Sequence, residues 1–350
     1  MRGSLILIAP RPQGGTAAAR LVDGRLEDLL IDPAPGDRAP RPGAIHRAIP
    51  GRPMKGLGGV IVDLGDGRTG FLRETRGLAP GRPVLVQVTG WAEPHKAAPV
   101  SRRLLVKGRT AILTPGAPGR NIARAAPAES RPRLAALGSE AMAGADETLG
   151  LILRSAAADA PDDEILAEIA RLRETLADFT VTGPAACILP APTAAEEALR
   201  DWPDPGPGSI LEGTETFDSH GIWEMVAELR EPEVALPGGG RMVIEPTRAV
   251  TAIDVNTGRD LTPAAALKAS LAAARDLPRQ LRLRGLGGVI LVDFAPLAKS
   301  ERSRVTDALK AALARDGIET TIAGWTPLGN LELARKRARR PLAELLPTGR

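Results

Sequence analysis

Tyrosine is absent from this chain, phenylalanine and tryptophan occur four times each, and cysteine occurs once, at Cys187. A lone thiol excludes an internal disulfide and any cysteine-rich zinc site. Long apolar runs are missing too. Leu5 to Ala9 is too short for the core of a signal peptide, and nothing approaches the length needed to span a bilayer. A cytoplasmic protein without membrane contact is expected. Neither sign of charge dominates: the formal net charge is only +4. The pI is nevertheless about 9.6, and arginine supplies most of the positive charge. That balance is compatible with nucleic-acid binding and does not by itself establish it.

What is abundant is small or turn-forming: alanine inflates the hydrophobic fraction, and 38 glycines and 32 prolines punctuate the chain. At 350 residues, two or more structural units and a substantial core are expected. The stretch from Arg248 to Phe294 carries the clearest chemistry. RAVTAIDVN alternates as a strand does, which puts Val250, Ala252, Asp254 and Asn256 on one face and Thr251, Ile253 and Val255 on the other. GGVILVDF is a continuous aliphatic run of the kind buried on both faces, and it ends in Asp293. Between them, Thr262 to Arg284 has an N-cap threonine, a first-turn proline and an alanine-rich body, which predicts a helix.

A strand, helix and strand of this length permit parallel pairing of the two strands, and such crossovers are nearly always right-handed. Asp254 and Asp293 would then share the C-terminal edge of one sheet, where α/β folds place their ligands. Two carboxylates beside an amide oxygen make a hard oxygen site suited to Mg²⁺. The plainer reading is that each aspartate closes its strand as a turn former.

AIDVNTG, RQLRLRGLGGVILVDF and LGNLELARKRARRPL resemble the catalytic region of the ribonuclease E/G family. LVDGRLEDLLID, IVDLGDGRTGFL, GLILRSAA and LPGGGRMVIEPTRAVTAIDVNTG match further family segments in the same order, so the resemblance covers most of the chain. It implies a multidomain α/β fold. Residues 1–39 and 200–244 would form the two parts of a ribonuclease H-like subdomain, a name that describes fold and not activity. Residues 40–100 would be an inserted OB-fold RNA-binding barrel, 101–199 a 5′-phosphate sensor subdomain, and 245–350 a deoxyribonuclease I-like catalytic core.

The activity implied is that of a Mg²⁺-dependent endoribonuclease. It would hydrolyse phosphodiester bonds of single-stranded RNA, favour 5′-monophosphorylated ends, and act in RNA processing, rRNA processing included, or decay. On that resemblance Asp254 and Asp293 hold Mg²⁺, and Asn256 orients a carboxylate or the scissile phosphate. Arg154 and Ser155 match the pocket for the 5′-monophosphate, where guanidinium and hydroxyl donors both suit phosphate oxygens. Phe71 matches an aromatic on which a base stacks, and Lys96 a basic residue of the same surface. Ile61 stands at the family's other aromatic position. Arg282, at the end of the helix between the catalytic strands, is expected to contact RNA. So are Arg335, Lys336 and Arg337, in a basic run read as part of a last helix. Structural alternatives remain for each: a core phenylalanine, solvated basic residues, and helix-dipole partners.

Two departures from the family pattern stand out. The Cys-Pro-x-Cys zinc link of larger members has no counterpart before Arg350, so no zinc-linked assembly is expected, while a homodimer stays compatible. Ser270 to Ala274 reads Ser-Leu-Ala-Ala-Ala where the family has Asn-Leu-Glu-Ala-Ala. Three other readings stay open: a relative that binds RNA with weak or no cleavage, a structural protein without RNA affinity, and a different metal-dependent phosphodiesterase.

Overall fold

In the computed structural model, which describes residues 3–54, 56, 58–93 and 95–346, Asp23 and Gly24 adopt φ angles of 50° and 79°. Two successive residues in the left-handed region make the hairpin turn whose twist matches that of its strands. The turn joins β2 (Thr16–Val22) to β3 (Arg25–Ile31), as the Asp-Gly pair predicts. β1 (Ser4–Pro10) pairs antiparallel with β2.

The chain then enters a separate compact unit, Gly36–Asp204. Its first strands are β4 (Ile45–Pro50), β5 (Val60–Gly65), β6 (Arg68–Leu72), β7 (Val84–Val88) and β8 (Ala98–Ser101). They close in the order β4-β5-β6-β8-β7, with β7 returning to β4. β6 and β8 run parallel and the other neighbours antiparallel. A closed five-stranded barrel of this order is consistent with an OB-fold. Val60, Val62, Leu64, Leu72 and Val86 fill its interior.

β9 (Val106–Lys107), β10 (Ala111–Pro115), β11 (Arg120–Ile122) and, after α1 (Arg131–Ala141), β12 (Leu149–Leu153) build a second sheet in the order β11-β12-β10-β9. α1 and α2 (Asp162–Ala177) cover it, with Leu134, Ile165 and Ile169 packed on Leu113, Leu151 and Leu153. The Glu168 carboxylate of α2 accepts the backbone N–H of Arg109 at 2.7 Å, Thr110 at 2.7 Å and Ala111 at 3.2 Å. Gly108 makes that approach feasible: a Cβ there would stand 2.5 Å from the Glu168 carboxyl carbon. β13 (Ala186–Leu189) pairs with β4, and α3 (Ala194–Asp201) follows. The proline-rich stretch at 190–207 thus holds a helix. The Thr193 hydroxyl and Glu196 carboxylate cap it reciprocally, which is what a Thr-x-x-Glu spacing provides.

Pro205–Arg350 belongs with Met1–Pro35 in the other unit. β14 (Ile210–Glu212) runs parallel to β1 and completes the sheet β14-β1-β2-β3. α4 (Thr216–Ser219) and α5 (Ile222–Glu228) place Phe217, Ile222 and Val226 over it. A second sheet follows: β15 (Glu233–Ala235), β16 (Arg241–Pro246), β17 (Val250–Asn256), α6 (Pro263–Leu283), β18 (Gly288–Asp293), α7 (Lys299–Asp316), β19 (Thr320–Trp325) and β20 (Leu331–Arg335). Its order is β15-β16-β17-β18-β20-β19, with β17 and β18 parallel. α6 and α7 pack on one face, where Ile253, Val255, Ile290 and Val292 are buried. Each such side chain contributes about 1.5–3 kcal/mol, and slipping either strand by one residue would turn all of them outward. Ser270, Ala273 and Ala274 lie buried in the same helix packing.

The stretch LGNLELARKRARRPLAELL departs from expectation. Leu331–Arg335 is a strand in place of the first half of a helix, and helix is confined to α8 (Leu342–Leu345). Leu331, Leu333 and Arg335 face inward and Glu332 and Ala334 outward, a two-residue period that a short apolar run does not separate from a helical one. The turn before it decides the matter, since the Thr326 backbone N–H donates to the Asn330 carbonyl at 2.7 Å around Gly329, whose φ is +99°.

Candidate active site

The parallel pairing of β17 with β18 makes Asp254 and Asp293 register partners. Adjacent strands lie about 4.8 Å apart, so two carboxylates 39 positions apart in sequence stand side by side. Both are exposed, on the face turned away from α6 and α7. Asn256 shares that face, and its Nδ2 donates to Asp254 Oδ2 at 2.5 Å. Among the described residues Asp293 has no side-chain partner. Like charges directly opposite one another weaken a sheet, so packing gives no reason for this pair.

No group of three or more His, Cys, Asp or Glu among the described residues is arranged to hold a metal. The pair itself still fits Mg²⁺, which binds through one or two carboxylates and keeps several waters. Asn256 engages one oxygen of Asp254 and fixes its orientation, as hydrogen bonds to metal-ligating carboxylates do.

A cleft of about 210 Å³ opens next to the end of β17, lined by Gly238, Gly240, Thr257, Asp260, Thr262 and Lys268 among others. Gly258, with φ of +80°, lets the loop after Asn256 lie against the Gly239 carbonyl, where a Cβ would overlap it. Lys268, an exposed cation lining this cleft, went unnoticed in the sequence. Its position six residues into a helix with a readable N-cap was the available signal.

The basic residues expected to touch RNA separate into two groups. Arg282 and Arg335 are committed inside the unit: both pair with Asp316, and the side chains of Arg335 and Asp316 are each 0% exposed. Arg282 also reaches Asp28 at 3.4 Å and Glu27, which ties α6 to β3. In this arrangement neither guanidinium is open to a phosphate. Lys336 is exposed and Arg337 half-buried against Gly287 and Gly288. They lie at the opposite edge of the sheet from the carboxylates. Arg335 is the register partner of Gly288, five residues before Asp293, or about 17 Å along a strand.

The sequence pattern of the Ribonuclease E/G family matches residues 208–338, a span that contains the carboxylate pair and the sheet presenting it. The chain is 29% identical to Ribonuclease E of Synechocystis sp. over 333 residues, covering 81% of this chain and 48% of that protein. It is 27% identical to Ribonuclease E of Nostoc sp. over 97% of this chain and 56% of the relative. With Ribonuclease G of Escherichia coli strain K12 it shares 26% identity over 87% of this chain and 74% of the relative. Residues 208–338 thus carry the ribonuclease E/G family pattern, and the relatives extend the likeness over most of the chain. The chain spans about half the length of the two Ribonuclease E relatives.

The residues aligned by family resemblance in Gly36–Asp204 occupy two surfaces. Phe71 on β6 is half-buried and is the register partner of Ile61 on β5 and of Pro99 on β8. Its ring lies against Gly59, where a Cβ would collide with it. This places an apolar strip on the outside of the barrel. The strand 2–3 face is the one OB-folds use for oligonucleotides. Lys96 is exposed and pairs with Glu93 at 2.8 Å.

Arg154, at the end of β12, is half-buried. Its Nη1 donates to the carbonyls of Gly108 at 2.7 Å and Arg200 at 3.2 Å, and its Nη2 lies 2.8 Å from Asp201 Oδ1. Ser155 beside it is exposed. Burial pushes the Lys107 ammonium below its ordinary range, with Asp201 and Glu197 opposing and Arg200 and Arg154 adding to the shift. Asp201 is raised by its own burial, yet the hydrogen bond and charge of Arg200 and the charges of Arg154 and Lys107 hold it below the usual carboxylate value. Neither Asp201 nor Lys107 was singled out in the sequence. The Thr193-to-Glu196 capping box, which predicts a helix ending near Asp201, was the signal for the first.

Proposed function

We propose that this protein is a Mg²⁺-dependent endoribonuclease that hydrolyses single-stranded RNA. What carries the reading is the register of Asp254 with Asp293, two exposed carboxylates without a packing role in a family whose relatives are named ribonucleases. Asp254 and Asp293 would hold the ion, which when bound supplies an acidified water and offsets negative charge on the phosphoryl oxygens.

The chain's own residues account for the rest. The 2.5 Å bond from Asn256 keeps the Asp254 carboxylate in one rotamer. Lys268 in the neighbouring cleft offers a cation to an RNA phosphate. Attack by a water oxygen breaks the bond from phosphorus to the 3′ oxygen, which leaves as a hydroxyl, so products carry a 5′-phosphate and a 3′-hydroxyl. The Phe71 strip would receive a base, and Lys96, Lys336 and Arg337 are exposed or half-exposed cations for the backbone. Arg154 and Ser155 would read a 5′-monophosphate and so favour monophosphorylated ends. RNA processing or decay is the setting that such chemistry serves.

The test is cleavage of matched single-stranded RNA, single-stranded DNA and duplex RNA, with end mapping of the products. RNA cut to 5′-phosphate and 3′-hydroxyl ends, with DNA spared, is expected. Cleavage of DNA at a comparable rate would point to a general phosphodiesterase. Binding of RNA without any cleavage would reduce the protein to an RNA-binding relative.

A further inference from the structure

Arg154 is the residue proposed to read the 5′-phosphate, and its guanidinium is already engaged. Asp201 Oδ1 lies 2.8 Å from Arg154 Nη2, while Asp201 Oδ2 accepts from Arg200 Nη2 at 2.6 Å and Nε at 3.2 Å. The side chains of Arg154 and Asp201 are 24% and 29% exposed, so the pair sits at the surface where an RNA end can reach it. Lys107 adds a third cation to the same neighbourhood. Asp201 is also the last residue of α3, where a negative charge opposes the helix dipole. The surrounding cations, and not the helix, hold the carboxylate there.

We infer that Asp201 is a built-in occupant of the 5′-phosphate site, a carboxylate that stands on Arg154 until a 5′-monophosphate displaces it. The inference rests on the proposed reading of Arg154 as the sensor of the RNA 5′ end. The exchange is chemically balanced. A terminal phosphate carries close to two negative charges and three acceptor oxygens, so it offers the guanidinium more than a carboxylate does. Released from Arg154, Asp201 keeps its bonds to Arg200 and is not stranded. The carbonyls of Gly108 and Arg200 continue to hold Arg154 Nη1, so the guanidinium stays aimed at the site through the exchange. The consequence is a threshold: a 5′-hydroxyl end, without charge, leaves Asp201 in place, and only a phosphorylated end competes with it.

The experiment measures binding of short single-stranded oligoribonucleotides bearing a 5′-monophosphate or a 5′-hydroxyl, with cleavage rates of the same pair as a second readout. The proteins are wild type, Asp201→Asn, Arg154→Gln and the double variant, each checked by circular dichroism. Asp201→Asn keeps the shape and the Arg200 contact but removes the charge. It is expected to raise the preference for the monophosphate about fivefold, the upper end for a partly exposed ion pair, and Arg154→Gln should erase that gain. If wild type prefers the monophosphate through Arg154 but Asp201→Asn leaves the preference equal or lowers it, Asp201 positions Arg154 and the displacement inference is overturned, while the sensor reading stands. If no protein distinguishes the two ends, Asp201→Asn included, the sensor reading fails and the inference with it. If only Asp201→Asn acquires a preference, and Arg154→Gln removes it, the occupant dominates the site in the wild type as inferred.

Discussion

Asn256 donates its side-chain amide to Asp254 across one turn of the strand pleat, at 2.5 Å, on the face that Asp293 shares. This contact gives the pair its asymmetry, since one carboxylate is held and the other has no side-chain partner among the described residues. Replacing Asn256 with alanine should lower RNA cleavage about 10- to 100-fold, as loss of a partner to a metal-holding carboxylate does. The thermal midpoint should stay within about a degree of wild type, because the site is exposed. A variant with unchanged cleavage would remove Asn256 from the chemistry.

Asp316 carries a different burden. Its carboxylate, wholly buried, neutralises Arg335 and Arg282 together. Asp316→Ala would leave two guanidiniums facing each other in the interior, a change that costs about 3–5 kcal/mol. The urea midpoint should fall accordingly, and RNA affinity at low temperature should be kept. Loss of RNA binding without loss of stability would return Arg282 and Arg335 to the RNA surface.

The sequence carried the strands of Asp254 and Asp293 plainly because their physics is local. Two-residue alternation placed Asp254 and Asn256 together, the Thr262-Pro263 start gave α6, and crossover length permitted the parallel pair that β17 and β18 form. The Asp23-Gly24 turn was legible for the same reason. What was not legible was partner choice. Arg335 reads as one member of a basic run, and only the pairing of β20 with β18 shows that it points inward to Asp316. Likewise Asp201 is one acid in a proline-rich stretch until the fold sets it against Arg154.

Acid should act on Asp276. Burial alone would raise its pKa, but hydrogen bonds and charge from Arg279, a bond from Gln280 and the charge of Arg25 outweigh it and hold the group below its ordinary 3.8. A depressed carboxylate contributes stability that is fully present above its unfolded pKa and lost as pH falls through the folded value. Asp276→Asn should therefore cost about 1.5–3 kcal/mol at pH 7, with the gap to wild type narrowing below about pH 4. Urea titrations at pH 7 and pH 3 measure it, and a gap of equal size at both would contradict the assignment.

Phe71 and Lys96 should act on RNA in separable ways. Phe71→Ala removes a stacking face and should weaken single-stranded RNA by about 1–3 kcal/mol with the salt dependence unchanged. Lys96→Ala should lower the slope of log affinity against log salt by about 0.7, the loss of one phosphate contact on a single strand. Titrations at several salt concentrations read both. A change of slope for Phe71→Ala would mean that the barrel surface works through charge and not through stacking.

The carboxylate pair is tested most directly by cleavage of a fluorescent single-stranded RNA with Mg²⁺ or with EDTA, for wild type, Asp254→Asn and Asp293→Asn. Because the two side chains are exposed register partners that play no part in the core, both variants should fold as wild type does and bind RNA. Cleavage should depend on Mg²⁺ and fall by three orders of magnitude or more in each, roughly the loss expected when an ion's ligand is removed from a hydrolytic site. Folded variants that still cut RNA at the wild-type rate, or a wild type that cuts equally well in EDTA, would contradict the assignment of Asp254 and Asp293.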